Sequence, residues 1–294
     1  MNPAATDTFV GLRNLLFTVA YEILGSAADA EDVLQETWLR WVEVDLEQVR
    51  DERAYLIRIT TRQALNRLRT MKRRREAYVG TWLPEPLLTA PDVAEHVEVA
   101  ENLSIALMLV LETLSPTERA VFVLREAFDV GYDEIAEAVG KTPAAVRQIA
   151  HRARQHVDAR RPRTTATQRT AQAAVAAFQR ALETQDVQAL MDVLAPQAVL
   201  IGDGGGIKRA GLRPVTGAAK VIRYVLGGIR KSGVTVTTEL TDVNGNPGLL
   251  VRVDGEVDGI MALHVEDDRI AGMYYVLNPE KLTRVGGETE VAWR

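Results

Sequence analysis

The side chains best placed to do chemistry in this chain are cations held in two blocks. Between Arg53 and Arg75 stand nine Arg and Lys residues and no Asp or Glu. Between Lys141 and Arg163 stand seven against the single acid Asp158, whereas Glu85–Glu137 carries twelve acids against Arg119 and Arg125. The whole chain has a net charge of −5, so its cations are concentrated rather than abundant. Alternating blocks of opposite sign are the electrostatic footprint expected of two nucleic-acid surfaces kept apart by a spacer. Catalytic chemistry is far less legible. No spacing pairs a nucleophile with a base. Cysteine is absent from the 294 residues, which excludes disulfides, thiol redox chemistry and cysteine-based zinc sites. No catalytic residue, metal ligand or cofactor is therefore assigned.

The first basic block must ride on helices. Apolar positions recur at three- and four-residue spacing in Val33, Leu34, Thr37, Trp38 and Trp41, then in Tyr55, Leu56, Ile59 and Leu65. Asp29 is the expected N-cap after a break at Gly25-Ser26. Pro84, Pro86 and Pro91 rule out a continuous helix through Gly80–Asp92. Helical periodicity resumes near Ala94 and continues to about Arg160. The N-terminus MNPAATDTFV lacks a basic segment followed by an apolar run, and the apolar stretch Leu103–Leu114 is too short to span a bilayer. A cytoplasmic protein without membrane contact is the expectation.

The second block carries a sharper signal. Ser115-Pro116-Thr117-Glu118 has a hydroxyl at N-cap, Pro at N1 and Glu at N3, which is a capping box. The helix it starts should end near Asp129–Gly131, and a short helix Asp133–Val139 should stop at Gly140 in a left-handed conformation. Thr142 then caps a third helix opening with Pro143. Two helices, a glycine turn and a capped basic helix make a helix-turn-helix. On the third helix Ala144 and Ala145 are small enough for close groove approach, and Arg147, Gln148, His151, Arg152 and Arg154 offer donors. Val146, Ile149, Ala150 and Ala153 should face inward.

Beyond the polar RRPRTTATQ the pattern changes. Two helical segments, Arg169–Glu183 and Val187–Leu194, precede the apolar run Ala198–Ile201, the GDGGG loop and a helix around Gly217–Lys231. Four strand-like runs follow, Val234–Val243, Leu249–Val253, Val257–Val265 and Ile270–Leu277, with turn signals at Asn244-Gly245 and Asp254-Gly255. Helices followed by an antiparallel meander predict a separate α+β domain.

Leu114–Arg154 resembles region four of extracytoplasmic-function sigma factors, which reads the minus-thirty-five promoter element. DAEDVLQETWLRW, Asp29–Trp41, resembles the polymerase-binding helix of region two, and Tyr55–Arg75 resembles the helix that melts and reads the minus-ten element. The resemblance implies partners, namely core RNA polymerase through its β′ and β subunits and promoter DNA. It implies that Asp29, Asp32, Gln35, Glu36 and Trp38 dock on the polymerase. It places Asn66, with Arg58 and Arg62 nearby, where an unstacked base is captured, and Arg67, Arg69, Lys72 and Arg73 on phosphates. Thr142, Ala144, Ala145, Arg147, Gln148, His151, Arg152 and Arg154 would serve the upstream element. Tyr78–Pro86 (YVGTWLPEP), Asp203–Lys208 and Asn278–Leu282 (NPEKL) are similar to motifs of a subgroup fused to a cone-shaped SnoaL-like, nuclear transport factor two-like domain. They imply regulatory contacts by Trp82, Leu83, Pro84, Asp203, Lys208, Asn278, Pro279, Lys281 and Leu282, and a cavity open to a small-molecule ligand.

The resulting expectation is a multidomain chain of two all-α sigma domains and a C-terminal α+β domain. Its parts would be region 2 at 1–76, a linker at 77–96, region 4 at 97–161, a linker at 162–168 and the SnoaL-like domain at 169–294. The function implied is transcription initiation modulated by the extra domain. The alternative is a SnoaL-like isomerase, cyclase or ligand-binding protein tethered to DNA by its helix-turn-helix, for which the resemblance implies Asp203, His264 or Tyr274 as general-base candidates.

Overall fold

The computed structural model describes residues 3–90, 103–160, 166–285 and 287–293, without the side chains of 72–74 and 76. The chain divides into two compact units. One comprises Met1–Ala77, Val110–Arg161 and Glu290–Arg294, and the other Tyr78–Leu109 and Pro162–Thr289. The helix expected to resume near Ala94 lies outside the described residues as far as residue 102.

In the first unit, α1 (Pro3–Leu24) ends at Gly25, whose φ of 69° breaks the helix. Ser26, and not Asp29, caps α2 (Ala27–Trp41) by accepting from the Asp29 backbone N–H at 3.2 Å. Asp29 sits in the first turn instead, which frees its carboxylate for another partner. α3 (Glu52–Glu76) packs against both α1 and α2. Trp41 is fully buried, and its indole donates to the Ala5 carbonyl at 2.8 Å, a pairing that a buried indole N–H requires.

After the short apolar helix α4 (Ile105–Leu111), α5 (Pro116–Phe122) opens with the expected capping box. It continues through a π-helical turn, Val123–Ala127, before Asp129 turns the chain at φ 48°. α6 (Tyr132–Val139) stops at Gly140 with φ 66°, and Thr142 caps α7 (Pro143–Asp158). Val146, Ala150, Ala153 and Val157 form the buried face of α7, while Ile149 is only half-buried.

Glu112 binds two guanidiniums, from Arg75 and from the buried Arg119. Burial alone would raise the Glu112 carboxyl, but Arg119 and Arg75 outweigh it and hold the group below the usual range. Arg119 also donates to the Glu22 carbonyl at 2.9 and 3.0 Å, which ties α5 to the end of α1.

The second unit contains α8 (Gln168–Glu183), α9 (Val187–Val193), α10 (Ala218–Ser232) and a six-stranded sheet. The strands are β1 (Leu194–Asp203), β2 (Val215–Thr216), β3 (Val236–Val243), β4 (Asn246–Val253), β5 (Glu256–Glu266) and β6 (Arg269–Val276), in the order β2-β1-β6-β5-β4-β3. The meander β3–β6 is antiparallel as expected, with Asn244-Gly245 and Asp254-Gly255 both at positive φ in their turns. Parallel pairing of β1 with β6, and the two-residue β2, were not legible as elements.

Alternation along the strands gives the sheet two apolar faces. One packs Val175, Phe178, Leu190, Val221 and Ile222 of the three helices against Leu249, Met261 and Met273. The other packs Leu88, Ile105 and Leu109, from the segment joining the two sigma-like parts, against Val243, Leu250 and Ile260.

Candidate nucleic-acid interface

On α7 the predicted groove-facing residues share one solvent face. Ala144, Arg147, Gln148, His151, Arg152 and Arg154 are exposed, and Ala145 is half-buried beside them. Among the described residues the side chains of Gln148, His151 and Arg152 make no hydrogen bond, so their donors face solvent. Arg147 lies 5.9 Å from the Tyr132 ring. Arg154 is held by Glu126 through hydrogen bonds of 2.6 and 3.2 Å. Thr142 is exposed but employed as the cap, its hydroxyl accepting from the Ala145 N–H at 3.2 Å.

The α3 cations are more committed. Arg58 pairs with Glu137 of α6 at 2.6 Å and stacks 4.6 Å from the Tyr55 ring. Arg62 donates to the Glu137 carbonyl at 2.7 Å. Arg67 pairs with Asp29 at 2.7 Å and also with Asp32. Thus one predicted phosphate contact is joined to two predicted polymerase contacts. Asn66 is exposed, and its side-chain oxygen accepts weakly from Arg69 at 3.3 Å. The Lys72 and Arg73 side chains lie outside the described residues. On α2, Gln35 and Glu36 are exposed, Glu36 accepting from Gln63 at 2.8 Å, and the Trp38 ring meets Phe9 at 5.1 Å with the planes tilted by 55°.

The three short motifs meet on one carboxylate. Asp203, at the end of β1 and fully buried, accepts from the Tyr78 hydroxyl at 2.6 Å, the Leu83 N–H at 2.8 Å and the Lys281 ammonium at 2.7 Å. Lys281 also donates to the Leu83 carbonyl at 2.5 Å and lies 4.2 Å from the Trp82 ring centroid. Asn278 donates to the Tyr78 hydroxyl at 2.9 Å. Burial, followed by the Asp203 carboxylate, pushes the Tyr78 hydroxyl well above its usual range, so it stays a donor.

The glycines of the loop are required by close approach. A β carbon on Gly204 would meet the Lys208 carbonyl oxygen at 2.1 Å, and one on Gly205, at φ 61°, the Asn278 side chain at 2.3 Å. Pro84 is buried in this assembly and Pro279 opens the short helix Pro279–Lys281. Leu282 packs with Val285 on the sheet face that holds the joining segment.

Asn244 was read only as a turn residue, yet it is a second anchor. Fully buried, it accepts from the Leu87 N–H at 3.0 Å and donates to the Leu103 carbonyl at 3.1 Å. The Gly245 N–H donates to the Thr89 hydroxyl at 2.9 Å. An Asn-Gly turn signals itself, but the polar partners it meets come from far along the chain.

Lys208 does not join Asp203. Its ammonium donates to the Asp258 carboxylate at 2.8 Å and carbonyl at 2.9 Å, and the Tyr275 hydroxyl donates to the same carboxylate at 2.6 Å. The general-base candidates are not brought together. Asp203 is consumed by the joining segment, whereas His264 and Tyr274 line a different surface from the helix-covered cavity. Burial lowers His264 and raises Tyr274 to about 12, so both are neutral near pH 7. The polar side chains that line the cavity include Asp258 and Tyr275. A bulge in the β4–β5 register, where Val251 faces Gly259 but Arg252 faces Val257, leaves Asp258 unpaired. A bulge re-aims a side chain against the alternation, which hides it from pattern reading.

Residues 9–75 match the Sigma-70 region 2 family and residues 104–157 match Sigma-70, region 4. The chain is 36% identical to the ECF RNA polymerase sigma factor SigJ of Mycobacterium tuberculosis, over 94% of this chain and 92% of that protein. It is 29% identical to the probable ECF RNA polymerase sigma factor SigI of the same species, over 94% of each. The crystal structure of the Mycobacterium tuberculosis extracytoplasmic function sigma factor SigJ is similar with a TM-score of 0.76 and 33% identity, covering 95% of this chain and 98% of that one.

Proposed function

The chain belongs to the extracytoplasmic-function RNA polymerase sigma factors, and from that premise we infer how its residues initiate transcription. It binds core RNA polymerase, recognises the minus-ten and minus-thirty-five promoter elements and starts transcription; it is an initiation factor and not an enzyme. The observation that carries the residue-level reading is the capped face of α7, on which Gln148, His151 and Arg152 are exposed with no side-chain hydrogen bond among the described residues and Ala144 permits close approach. Arg147 and Gln148 read base edges there, and Arg152 and Arg154 hold phosphates.

On α3, Asn66 captures the unstacked base, with Arg58 and Arg62 beside it and Arg67, Arg69, Lys72 and Arg73 along the strand. Flipping a base costs a few kcal/mol, which pocket contacts must offset. Asp29, Asp32, Gln35, Glu36 and Trp38 present an acidic, partly apolar face to the polymerase, and charge complementarity steers that association. Because Arg58 and Arg62 serve Glu137 in the free chain, promoter DNA must displace that contact. The C-terminal domain modulates activity by holding the segment that joins the two promoter-reading parts. Work of this kind is done where the polymerase is, in the cytoplasm.

The test is copurification of the full chain with core polymerase, followed by run-off transcription and start-site mapping. Discrete starts dependent on the added chain are expected. Neither association nor new starts would refute the reading.

A further inference from the structure

A cavity of about 400 Å³ lies between α8, α10 and the helix-covered face of the sheet. Leu182, Val225, Ile229, Val236, Val251 and Met261 give it apolar walls. At one end the Asp258 carboxylate is already met by the Tyr275 hydroxyl at 2.6 Å and the Lys208 ammonium at 2.8 Å. Arg209 and Arg213 line the same space from exposed positions, and neither has a hydrogen bond or ion pair among the described residues. The open side therefore carries two uncompensated cations.

Gly228 adds an independent observation. It lines the cavity from inside α10, and a β carbon built on it would meet nothing within 4 Å. A helix interior selects against glycine, and no backbone conformation or close neighbour calls for one here. What the missing side chain preserves is room.

We propose that this cavity binds an apolar small molecule ending in one anionic group, a carboxylate or sulfonate. The apolar body lies against the valine, leucine and methionine walls, and the anion sits between Arg209 and Arg213. The site is coupled to the joining segment by a short path, since Lys208 reaches Asp258 from the loop that starts at Asp203. That coupling rests on the regulatory reading above; the binding itself does not.

The probe is 1-anilinonaphthalene-8-sulfonate, titrated by fluorescence into the full chain beside the uncharged N-phenyl-1-naphthylamine. One saturable site for the sulfonate is expected. Gly228→Phe fills the space and abolishes that binding without lowering the thermal midpoint. Arg209→Gln with Arg213→Gln, both at exposed positions, weakens the sulfonate about tenfold and leaves the neutral amine unchanged, since a charge-assisted contact is lost. Unaltered sulfonate affinity in folded Gly228→Phe, or equal affinity changes for the two probes in the arginine variant, overturns the proposal. Run-off transcription by both variants at the level of the full chain marks such a failure as the failure of the cavity alone.

Discussion

Single buried carboxylates do much of the organising in this chain. Asp203 meets one ammonium, one hydroxyl and two backbone N–H groups, those of Leu83 and Gly205, at no exposure, so removing it strands a buried cation. Asp203→Ala is expected to lower the unfolding free energy of the second unit by about 3–5 kcal/mol, read from the urea midpoint. Glu22 behaves differently. Burial raises it from 4.5 to about 8, opposed by the Trp293 indole and by Arg119. Because its folded value lies above its unfolded one, its stabilising contribution is complete below 4.5 and lost as pH rises through 8. Thermal stability of the first unit should therefore fall between about pH 5 and about pH 9, and Glu22→Gln should flatten that slope. An unchanged slope in the variant would assign the pH dependence elsewhere. Neither role was legible in the sequence. Asp203 stood out through its glycines and was read as a regulatory contact, but its side-chain partners lie 78 to 125 positions away. Glu22 sits in an unremarkable helix end.

Elements were legible where their signals are local. The capping box, Gly140 and Thr142-Pro143 announce α5, α6 and α7, because each satisfies backbone groups within a few residues. β2 and the parallel β1–β6 pairing have no such local signature. The joining segment was read as a linker from its prolines, with regulatory contacts implied for Trp82, Leu83 and Pro84; the partners of its extended backbone, Asp203 and Asn244, lie too far along the chain to be read locally. At this scale Arg147→Ala and Gln148→Ala should impair minus-thirty-five recognition, each by about 1–3 kcal/mol of base discrimination, measured by transcription from promoters altered at single positions. Asn66→Ala should impair promoter opening, and permanganate footprinting separates the two steps. Normal opening by Asn66→Ala would withdraw the base-capture role. Of the two α3–α6 links at Glu137, the largely exposed ion pair with Arg58 is worth about 1 kcal/mol or less, while Arg62 holds the backbone carbonyl. Glu137→Ala should accordingly raise the affinity of the free chain for promoter duplex only a few-fold, by up to about that energy, in low-salt gel shifts.

At the scale of the whole molecule, the chain between the two promoter-reading parts belongs to the compact unit of the C-terminal domain. β6 pairs with both β1 and β5, so a chain cut before Ile270 loses the middle of its sheet and should not fold there. A chain cut after Leu277 keeps every strand but loses Asn278 and Lys281, which hold Tyr78 and Leu83. The direct measurement is run-off transcription from one mapped promoter, with core polymerase and equal amounts of folded full chain, the chain ending at Leu277, Trp82→Ala and a chain ending near Arg163. The chain ending at Leu277 should transcribe at least as well as the full chain, Trp82→Ala should share part of that effect, and the chain without the domain should transcribe worse. Equal activity from all four would contradict control of the joining segment by the C-terminal domain.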